Sequence, residues 1–222
     1  QGYVGLPLAM AAVNAGHRVL GVDLNSTRVG KIAVGESPVA DVSSADLGRA
    51  LGEGRFSVED NYNNCVDFSH AVITVPTPLK RGEPDMSYIE ASAESLAPHL
   101  SRGSIVILES TTYPGTTEEV LIPILERGSQ LLAGKDFFVG YSPERIDPGN
   151  KVWNLHNTPK VISGIDKDSL ERVDQFYTGL GIKTVAVSGT REAELTKLLE
   201  NTFRHVNIAL VNEIANFSTA LD

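Results

Sequence analysis

Short runs rich in valine and isoleucine alternate along this chain with longer stretches whose apolar residues recur at helical spacing. This alternation predicts an α/β fold, in which helices cover both faces of a parallel sheet. The apolar runs predict strands at Arg18–Val22, Ala71–Val75, Ser104–Leu108, Phe137–Gly140, Val161–Ser163 and Thr184–Val187. The clearest helices are predicted at Leu6–Ala15, Ser87–Leu100, Thr116–Arg127 and Lys167–Leu180.

The last stretch of the sequence predicts one long helix from Arg191 to Leu221, because it lacks proline and glycine and carries apolar residues at helical spacing. Such a helix would be roughly 45 Å long, which is more than a domain of this size needs to close its core. We therefore divide the chain into a first domain over residues 1–190 and the start of a long helix over 191–222. We expect this helix to contact a partner subunit or a second domain.

Composition excludes several classes of function. The 19 basic and 28 acidic residues give a net charge of -9, which repels a polyphosphate backbone, so no nucleic-acid partner is expected. The apolar runs are too short to cross a bilayer, so no membrane partner is expected. The single cysteine, Cys65, rules out an internal disulfide and fits a reducing cytosol, which predicts a cytoplasmic location. No metal site is expected, because the histidines form no ligand-like pair and are interpreted as structural: His17, His70, His99, His156 and His205.

A glycine loop opens the chain. Gly2 and Gly5, which flank Tyr3 and Val4, have the spacing of the last two glycines of a dinucleotide-binding loop, and the first predicted helix follows directly. In such a loop one glycine lets the backbone approach the pyrophosphate, and the next lets the helix pack on its strand. We therefore predict a Rossmann-like domain whose first glycine and first strand are missing from this sequence.

An acidic residue ends the next predicted strand. Asp23 follows the loop by about twenty residues, where a carboxylate binds both hydroxyls of the adenosine ribose and repels a 2′-phosphate. This position favours NAD over NADP. The alternative is that Asp23 only caps the turn that follows it. Arg28 could lie over the adenosine or could be a solvated charge on a helix.

Five short sequence motifs are distributed over nearly the whole chain: GYVGLPLA at residues 2–9, VPTP at 75–78, ESTTYPGT at 109–116, YSPER at 141–145 and ELTKLLEN at 194–201. In this order and at these separations they resemble the UDP-glucose/GDP-mannose dehydrogenase family. The resemblance implies NAD as the cofactor, a UDP-sugar as the substrate, and two successive hydride transfers that turn the C6 alcohol into a carboxylate. It also implies a UDP-sugar domain and a catalytic cysteine outside this sequence. Because the apolar residues of the predicted long helix are more than one face of a single domain can cover, we expect a homodimer formed through this helix.

The residues that follow Glu144, the glutamate of the YSPER motif, distinguish branches of the family. The UDP-glucose branch usually has a Phe-Leu pair after this glutamate and an acidic residue four positions later, whereas this chain has Arg145, Ile146 and Pro148. UDP-N-acetylglucosamine is therefore the expected substrate, with the mannosamine and galactosamine analogues close behind. The resemblance also assigns Arg145 to substrate binding.

Four residues are candidates for the catalytic chemistry. Lys197 and Asn201 lie four apart on the predicted long helix, so one face carries both, and the resemblance implies that they stabilise the developing alkoxide at C6. Glu144 follows a predicted strand, at the edge where open α/β sheets bind ligands, and could direct a water at the thioester. Thr112 could share that water. The alternatives are a solvated lysine at position 197 and a structural salt bridge from Glu144 to Arg145 or another basic group.

Three hydroxyl residues at strand ends are candidates for cofactor contacts. Thr77, Ser110 and Thr111 are expected to line the NAD groove, where short side chains can bond ribose or amide groups without blocking the nicotinamide. Simple loop formation is the alternative and would explain these residues completely.

Two rival functions remain open from the sequence. A dehydrogenase of the 6-phosphogluconate or hydroxyacyl type would also keep Lys197 and Asn201, but the SPER and VPTP segments argue against it. A non-catalytic nucleotide-binding module would fit the missing thiol. We expect that this chain alone does not complete the oxidation and that Cys65 is not the nucleophile. Cys65 is expected at the edge of the sheet away from the ligand, with Asp60 and Asp67 raising the pKa of its thiol.

Overall fold

The computed structural model describes residues 1–145, residue 155 and residues 157–221. The described chain has the expected α/β architecture with a mostly parallel central sheet. Its strands are β1 (Val19–Val22), β2 (Phe56–Glu59), β3 (His70–Ile73), β4 (Leu79–Lys80), β5 (Glu83–Pro84), β6 (Ile105–Leu108), β7 (Phe138–Tyr141), β8 (Lys160–Gly164) and β9 (Thr184–Ala186). Its α-helices are α1 (Gly5–Asn14), α2 (Ser26–Ala33), α3 (Ser44–Gly52), α4 (Ser87–Leu96), α5 (Ile122–Ser129), α6 (Lys167–Gly179) and α7 (Thr190–Thr219).

Prolines shape the ends of two predicted helices. α4 stops at Leu96 and continues as a single 3₁₀ turn that contains Pro98, because a proline has no N–H for the helical ladder. The segment Thr117–Leu121 adopts a π-helical turn, and α5 then begins at Ile122 with Pro123 in its first turn. The two helices predicted as continuous are therefore each divided in two.

The central sheet has the order β3-β6-β7-β8-β9. β6 is buried along its whole length, as expected for a central strand covered on both faces. The expectation of a wholly parallel sheet was wrong at one place: β8 runs antiparallel to β7, with Tyr141 paired to Ser163. This reversal brings the first residue of β8 to the edge where β7 ends.

A cleft divides the sheet. β1 and β2 pair only with each other among the described strands, and a cavity of ≈ 700 Å³ separates β1 from β3. Gln1, Leu20 and Val72 contribute to its lining. The strand order of dinucleotide-binding sheets places one more parallel strand at this position. The predicted first strand fits the cleft and stays a prediction.

Helix α1 connects the two sheets by apolar packing. Leu6 and Met10 belong to the core of β1, β2 and α3, whereas Leu8 and Ala12 pack in the core of β6 and α6. This explains why almost the whole helix is buried.

Helix α7 begins in the domain and then leaves it. Its first turns bury Thr190, Ala193 and Glu194, and every residue from 201 to 221 is exposed. The exposed side chains include large apolar ones: Leu195, Leu199, Phe203, Val206, Ile208, Leu210, Val211, Ile214 and Phe217. Among the described helices none is both long and apolar enough to cross a membrane.

Candidate active site

The glycine loop and the start of α1 have the features of a phosphate site. A Cβ added to Gly2 would meet no atom within 4 Å, whereas one added to Gly5 would lie 2.8 Å from Thr74 Oγ1. Gly2 therefore leaves open space, and Gly5 lets α1 pack closely on the end of β3. Helix α1 starts at Gly5, its N-cap residue Val4 makes no side-chain cap, and no acidic residue lies in its first turn, although side chains cap α2, α3 and α6. The positive dipole end of the helix and the open space at Gly2 suit the pyrophosphate of NAD.

Asp23 lies directly after β1. Its Oδ2 accepts a hydrogen bond from Arg28 Nη1 at 2.7 Å, and its Oδ1 accepts one from the Asn25 amide at 2.9 Å. The bond to Asn25 is the turn contact considered as the alternative, while Asn25 itself caps α2. The ionised carboxylate also suits the ribose hydroxyls of NAD.

The loops after β3 and β6 are joined by the hydroxyls expected to contact the cofactor. Thr77 Oγ1 donates to the Thr111 carbonyl at 2.7 Å, and Ser110 Oγ donates to the Val75 carbonyl at 2.7 Å. These bonds support loop formation as one role of Thr77 and Ser110. Exposed Tyr3 and half-buried Thr111 have side chains nearer to solvent. Cofactor contacts by these residues stay predictions.

Thr112 follows the same loop and is 2% exposed. Its Oγ1 is buried and makes no well-formed hydrogen bond among the described residues, although the Tyr141 hydroxyl, which donates to the Ser110 carbonyl at 3.2 Å, lies close to it. A water or ligand could complete the bonding of this hydroxyl.

Glu144 follows β7 and makes an ion pair with a lysine. Its Oε1 accepts a hydrogen bond from the Arg145 amide at 2.8 Å, and its Oε2 lies 3.5 Å from Lys160 Nζ. The basic group anticipated as an alternative partner is therefore Lys160, and Arg145 contributes its backbone. A cavity of ≈ 10 Å³, about the space that one water occupies, is lined by Glu144, Lys160 and residues near them.

The Arg145 side chain reaches helix α7. Its Nε lies 2.8 Å and 3.1 Å from the two carboxylate oxygens of Glu200, and its Nη1 donates to the Pro159 carbonyl at 2.8 Å. These contacts give Arg145 a structural partner, and its assignment to substrate binding stays a prediction. Lys197 and Asn201 lie three residues before and one residue after Glu200 on α7, with Lys197 half-buried and Asn201 exposed. The ion pair therefore joins the Glu144 loop to this turn of the helix.

Glu194 fixes the base of α7. It is fully buried and accepts hydrogen bonds from the Gly115 amide at 2.6 Å, the Thr117 amide at 2.8 Å and the Thr117 hydroxyl at 2.7 Å. Burial raises the pKa of Glu194, although these hydrogen bonds oppose the rise. The segment after Thr112 is thus tied to the helix that carries Lys197.

Cys65 lies half-buried in the loop between β2 and β3. Burial and the nearby Glu59 carboxylate raise the pKa of its thiol, so little thiolate exists at neutral pH. The pKa of the thiol is raised, as expected, but the carboxylate that raises it is Glu59 rather than Asp60 or Asp67. The expected position at the far edge of the sheet was wrong: Asn64 donates to Glu59, the last residue of β2, at 2.6 Å. The chain turns at this edge before it crosses to β3.

The histidines near the opposite edge pack on an aromatic ring. His70 stacks on Phe176 with centroids 4.9 Å apart, and His17 contacts both rings edge-on. Burial lowers the pKa of His70, which favours its neutral form. Within the described ranges no three His, Cys, Asp or Glu side chains are grouped to hold a metal. His156 and the branch-specific residues Ile146 to Asn150 lie outside the described residues.

Buried charges beside Glu144 are the functional candidates that sequence reasoning missed. Lys160 Nζ lies 3.1 Å from Glu109 Oε1, and the Tyr177 hydroxyl donates to the same oxygen. Burial raises the pKa of Glu109, Lys160 opposes the rise, and Glu144 adds to it. The sequence signals are weak: Lys160 begins an apolar run, which is also common at solvated strand ends, and Glu109 directly follows a predicted strand.

Comparison with known proteins agrees with this geometry. The sequence matches the NAD-binding domain of the UDP-glucose/GDP-mannose dehydrogenase family over residues 1–180 and the central domain of that family over residues 191–222. Protein CapL of Staphylococcus aureus is 40% identical over 100% of this chain and 51% of its own length. UDP-N-acetyl-D-glucosamine 6-dehydrogenase of Pseudomonas aeruginosa is 39% identical over 96% of this chain and 50% of its own length.

A solved structure of UDP-D-ManNAc dehydrogenase from Pyrococcus horikoshii superposes with a TM-score of 0.87 at 35% identity, covering 96% of this chain and 51% of that one. The chain thus spans about half the length of the curated relatives that it matches. The family match covers most of the sequence, and it includes the glycine loop, Asp23 and the loops that carry Thr112 and Glu144. This chain therefore belongs to the UDP-glucose/GDP-mannose dehydrogenase family and contains its NAD-binding domain.

Proposed function

We propose that the protein containing these residues is an NAD-dependent nucleotide-sugar 6-dehydrogenase that oxidises C6 of a UDP-N-acetylhexosamine to the carboxylate. UDP-N-acetylglucosamine is the preferred substrate, followed by the mannosamine and galactosamine analogues. The names of the relatives from Pseudomonas aeruginosa and Pyrococcus horikoshii support a UDP-N-acetylhexosamine. Arg145, which stands where the UDP-glucose branch usually has an apolar residue, supports the same choice.

One observation carries the proposal. The ion pair between Arg145 and Glu200 joins the loop of Glu144 to the turn of α7 that holds Lys197 and Asn201. A group that can accept a proton and two groups that can stabilise an oxygen anion therefore belong to one region at the carboxyl edge of β7. Oxidation of an alcohol to an acid needs both kinds of group.

Each residue then has a defined task. NAD, when bound, supplies the hydride acceptor, with its pyrophosphate at the start of α1 and its adenosine ribose at Asp23. Lys197 and Asn201 donate to the C6 oxygen and stabilise the developing alkoxide. Glu144 accepts a proton from the hydrolytic water, and the buried Thr112 hydroxyl orients that water.

The protein is proposed to form a homodimer through α7. The exposed leucine, isoleucine, valine and phenylalanine side chains along this helix form a larger apolar surface than solvent normally contacts in a monomer. A second copy of the same helix, or the UDP-sugar domain of the longer protein, would cover this surface.

The test is an assay of the full-length protein with equal concentrations of five sugar nucleotides: the UDP derivatives of N-acetylglucosamine, N-acetylmannosamine, N-acetylgalactosamine and glucose, and GDP-mannose. NADH formation is followed by absorbance, and two NADH per sugar are expected. UDP-N-acetylglucosamine should have a kcat/KM at least about tenfold above UDP-glucose. A higher kcat/KM on UDP-glucose would contradict the substrate. A folded protein that binds NAD but oxidises none of the five would be a non-catalytic module.

A further inference from the structure

A buried lysine lies between two carboxylates at the carboxyl edge of the sheet. The Lys160 side chain is 5% exposed, the Glu109 side chain is 1% exposed and the Glu144 side chain is 18% exposed. Lys160 Nζ lies 3.1 Å from Glu109 Oε1, 3.5 Å from Glu144 Oε2 and 5.1 Å from the centroid of the Tyr177 ring. The ammonium therefore has Glu109 and Tyr177 on its buried side and Glu144 toward the site.

The reversed direction of β8 makes this contact possible. Tyr141, the last residue of β7, pairs with Ser163 of β8, so continuing this register three residues past the end of β7 places Glu144 opposite Lys160. In a parallel strand the first residue would lie at the other edge of the sheet. Because β8 is antiparallel to β7, the Lys160 ammonium lies at the same edge of the sheet as Glu144.

We propose that Lys160 is a positioning residue that orients the Glu144 carboxylate for activation of water, with Glu109 and Tyr177 holding Lys160 in place. This inference rests on the proposed function, because it assigns a role to a neighbour of Glu144. The Arg145 amide donates to Oε1 at 2.8 Å and the Lys160 ammonium lies 3.5 Å from Oε2, so a donor approaches each oxygen of the carboxylate.

The charge balance distinguishes this arrangement from a simple structural ion pair. An ionised Glu109 alone would neutralise Lys160, and Glu144 would then add a net negative charge to a largely buried group. If burial keeps Glu109 protonated, the Lys160 ammonium pairs with Glu144 alone, so it lies against Glu144 in either state. Removal of the ammonium would leave Glu109 and Glu144 as neighbouring acids with no cation between them. The lysine therefore keeps two carboxylates close together.

The step that depends on this geometry is the last one of the proposed reaction. Glu144 takes a proton from water, the water oxygen bonds to the acyl carbon of the thioester, and the carbon–sulfur bond breaks to release the thiolate of the cysteine that the family resemblance places outside this chain. No electron is gained or lost in this step. Both hydride transfers precede it, so a slow hydrolysis still permits one round of NADH formation.

The experiment uses the full-length protein and stopped-flow absorbance of NADH. Lys160→Met should give a burst of about two NADH per active site, followed by steady-state turnover on the order of 10- to 100-fold slower than wild type. The kcat/KM for the UDP-sugar should stay within about twofold, since hydrolysis follows both hydride transfers, and KM should fall together with kcat. A structural defect alone would reduce the burst amplitude.

A matched pair of variants distinguishes a loss of the positioning role of Lys160 from a loss of folding. Glu109→Gln and the double variant Glu109→Gln with Lys160→Met both lack the Glu109 charge and differ only at residue 160. In the double variant no buried Glu109 carboxylate is left without the Lys160 cation. This variant should still show the burst of NADH, and its steady-state turnover should be slower than that of Glu109→Gln. Equal steady-state rates for this pair would overturn the role of Lys160.

Glu144→Gln separates this inference from the proposed function. A burst followed by slow turnover in Glu144→Gln, together with normal turnover when Lys160 is replaced, would keep Glu144 in the mechanism and remove Lys160. Normal turnover of Glu144→Gln would instead overturn the function assigned to Glu144, and with it this inference.

Discussion

Replacing Glu194 tests how firmly α7 is fixed to the domain. Glu194→Ala would leave the amides of Gly115 and Thr117 and the Thr117 hydroxyl without their shared acceptor in a buried place. Two buried N–H groups without partners cost about 1–3 kcal/mol each, or about 2–6 kcal/mol together. Burial of the Glu194 charge is itself unfavourable, as its raised pKa indicates, so removing this carboxylate offsets part of the loss. The net loss of stability should be about 2–4 kcal/mol.

The assay is urea unfolding of the 222-residue chain, followed by circular dichroism. Glu194→Gln keeps one acceptor oxygen and turns an NH₂ donor toward the remaining amide, so about half of the loss should remain. Glu94→Ala changes an exposed acid on α4, away from the surface proposed for self-association, and should alter stability by less than about 0.5 kcal/mol. If Glu194→Ala unfolds at the same urea concentration as Glu94→Ala, the three hydrogen bonds do not contribute as argued.

Three further outcomes follow from the site and the long helix. Lys197→Ala in the full-length protein should lower turnover at least about a hundredfold, which is the scale of losing one group that stabilises an oxyanion. NAD affinity measured by calorimetry should change little, and near-normal turnover would exclude Lys197 from the reaction. NAD should bind far more tightly than NADP, because Asp23 meets the 2′-phosphate with a like charge, and calorimetric titration that gives equal affinities would remove that role. The 222-residue chain should self-associate through α7 at micromolar concentration and Leu210→Glu should weaken this in sedimentation; a strictly monomeric wild-type chain would contradict the dimer.

The sequence predicted the elements whose pattern is strong and local. The apolar runs of β6 and β7 and the uninterrupted helical spacing of α7 gave bounds within one or two residues of the structure. Short elements with mixed patterns, such as α2, α3 and β2, were not singled out. The direction of β8 could not be predicted, because a buried strand has the same composition whichever way it runs.

The candidate site was predictable where residues belong to contiguous motifs. The glycine loop, Asp23 and Glu144 each follow or precede an element in a recognisable way. Lys160 and Glu109 were missed because charged residues are expected in solvent, and only the fold brings the two together. The same limit applies to Glu194, whose partners lie 77 and 79 residues away in the sequence.

The cleft between the two sheets has a consequence for NAD binding. Among the described residues, the apolar packing of α1 and a side-chain hydrogen bond between Tyr62 and Ser92 at 2.8 Å are contacts that join residues 1–66 to the rest of the chain. Asp23 lies in the first segment and Glu144 in the second, so a dinucleotide that binds both segments adds contacts between them. Because such a ligand binds the folded chain and not the unfolded one, NAD should raise the urea concentration at which this chain unfolds.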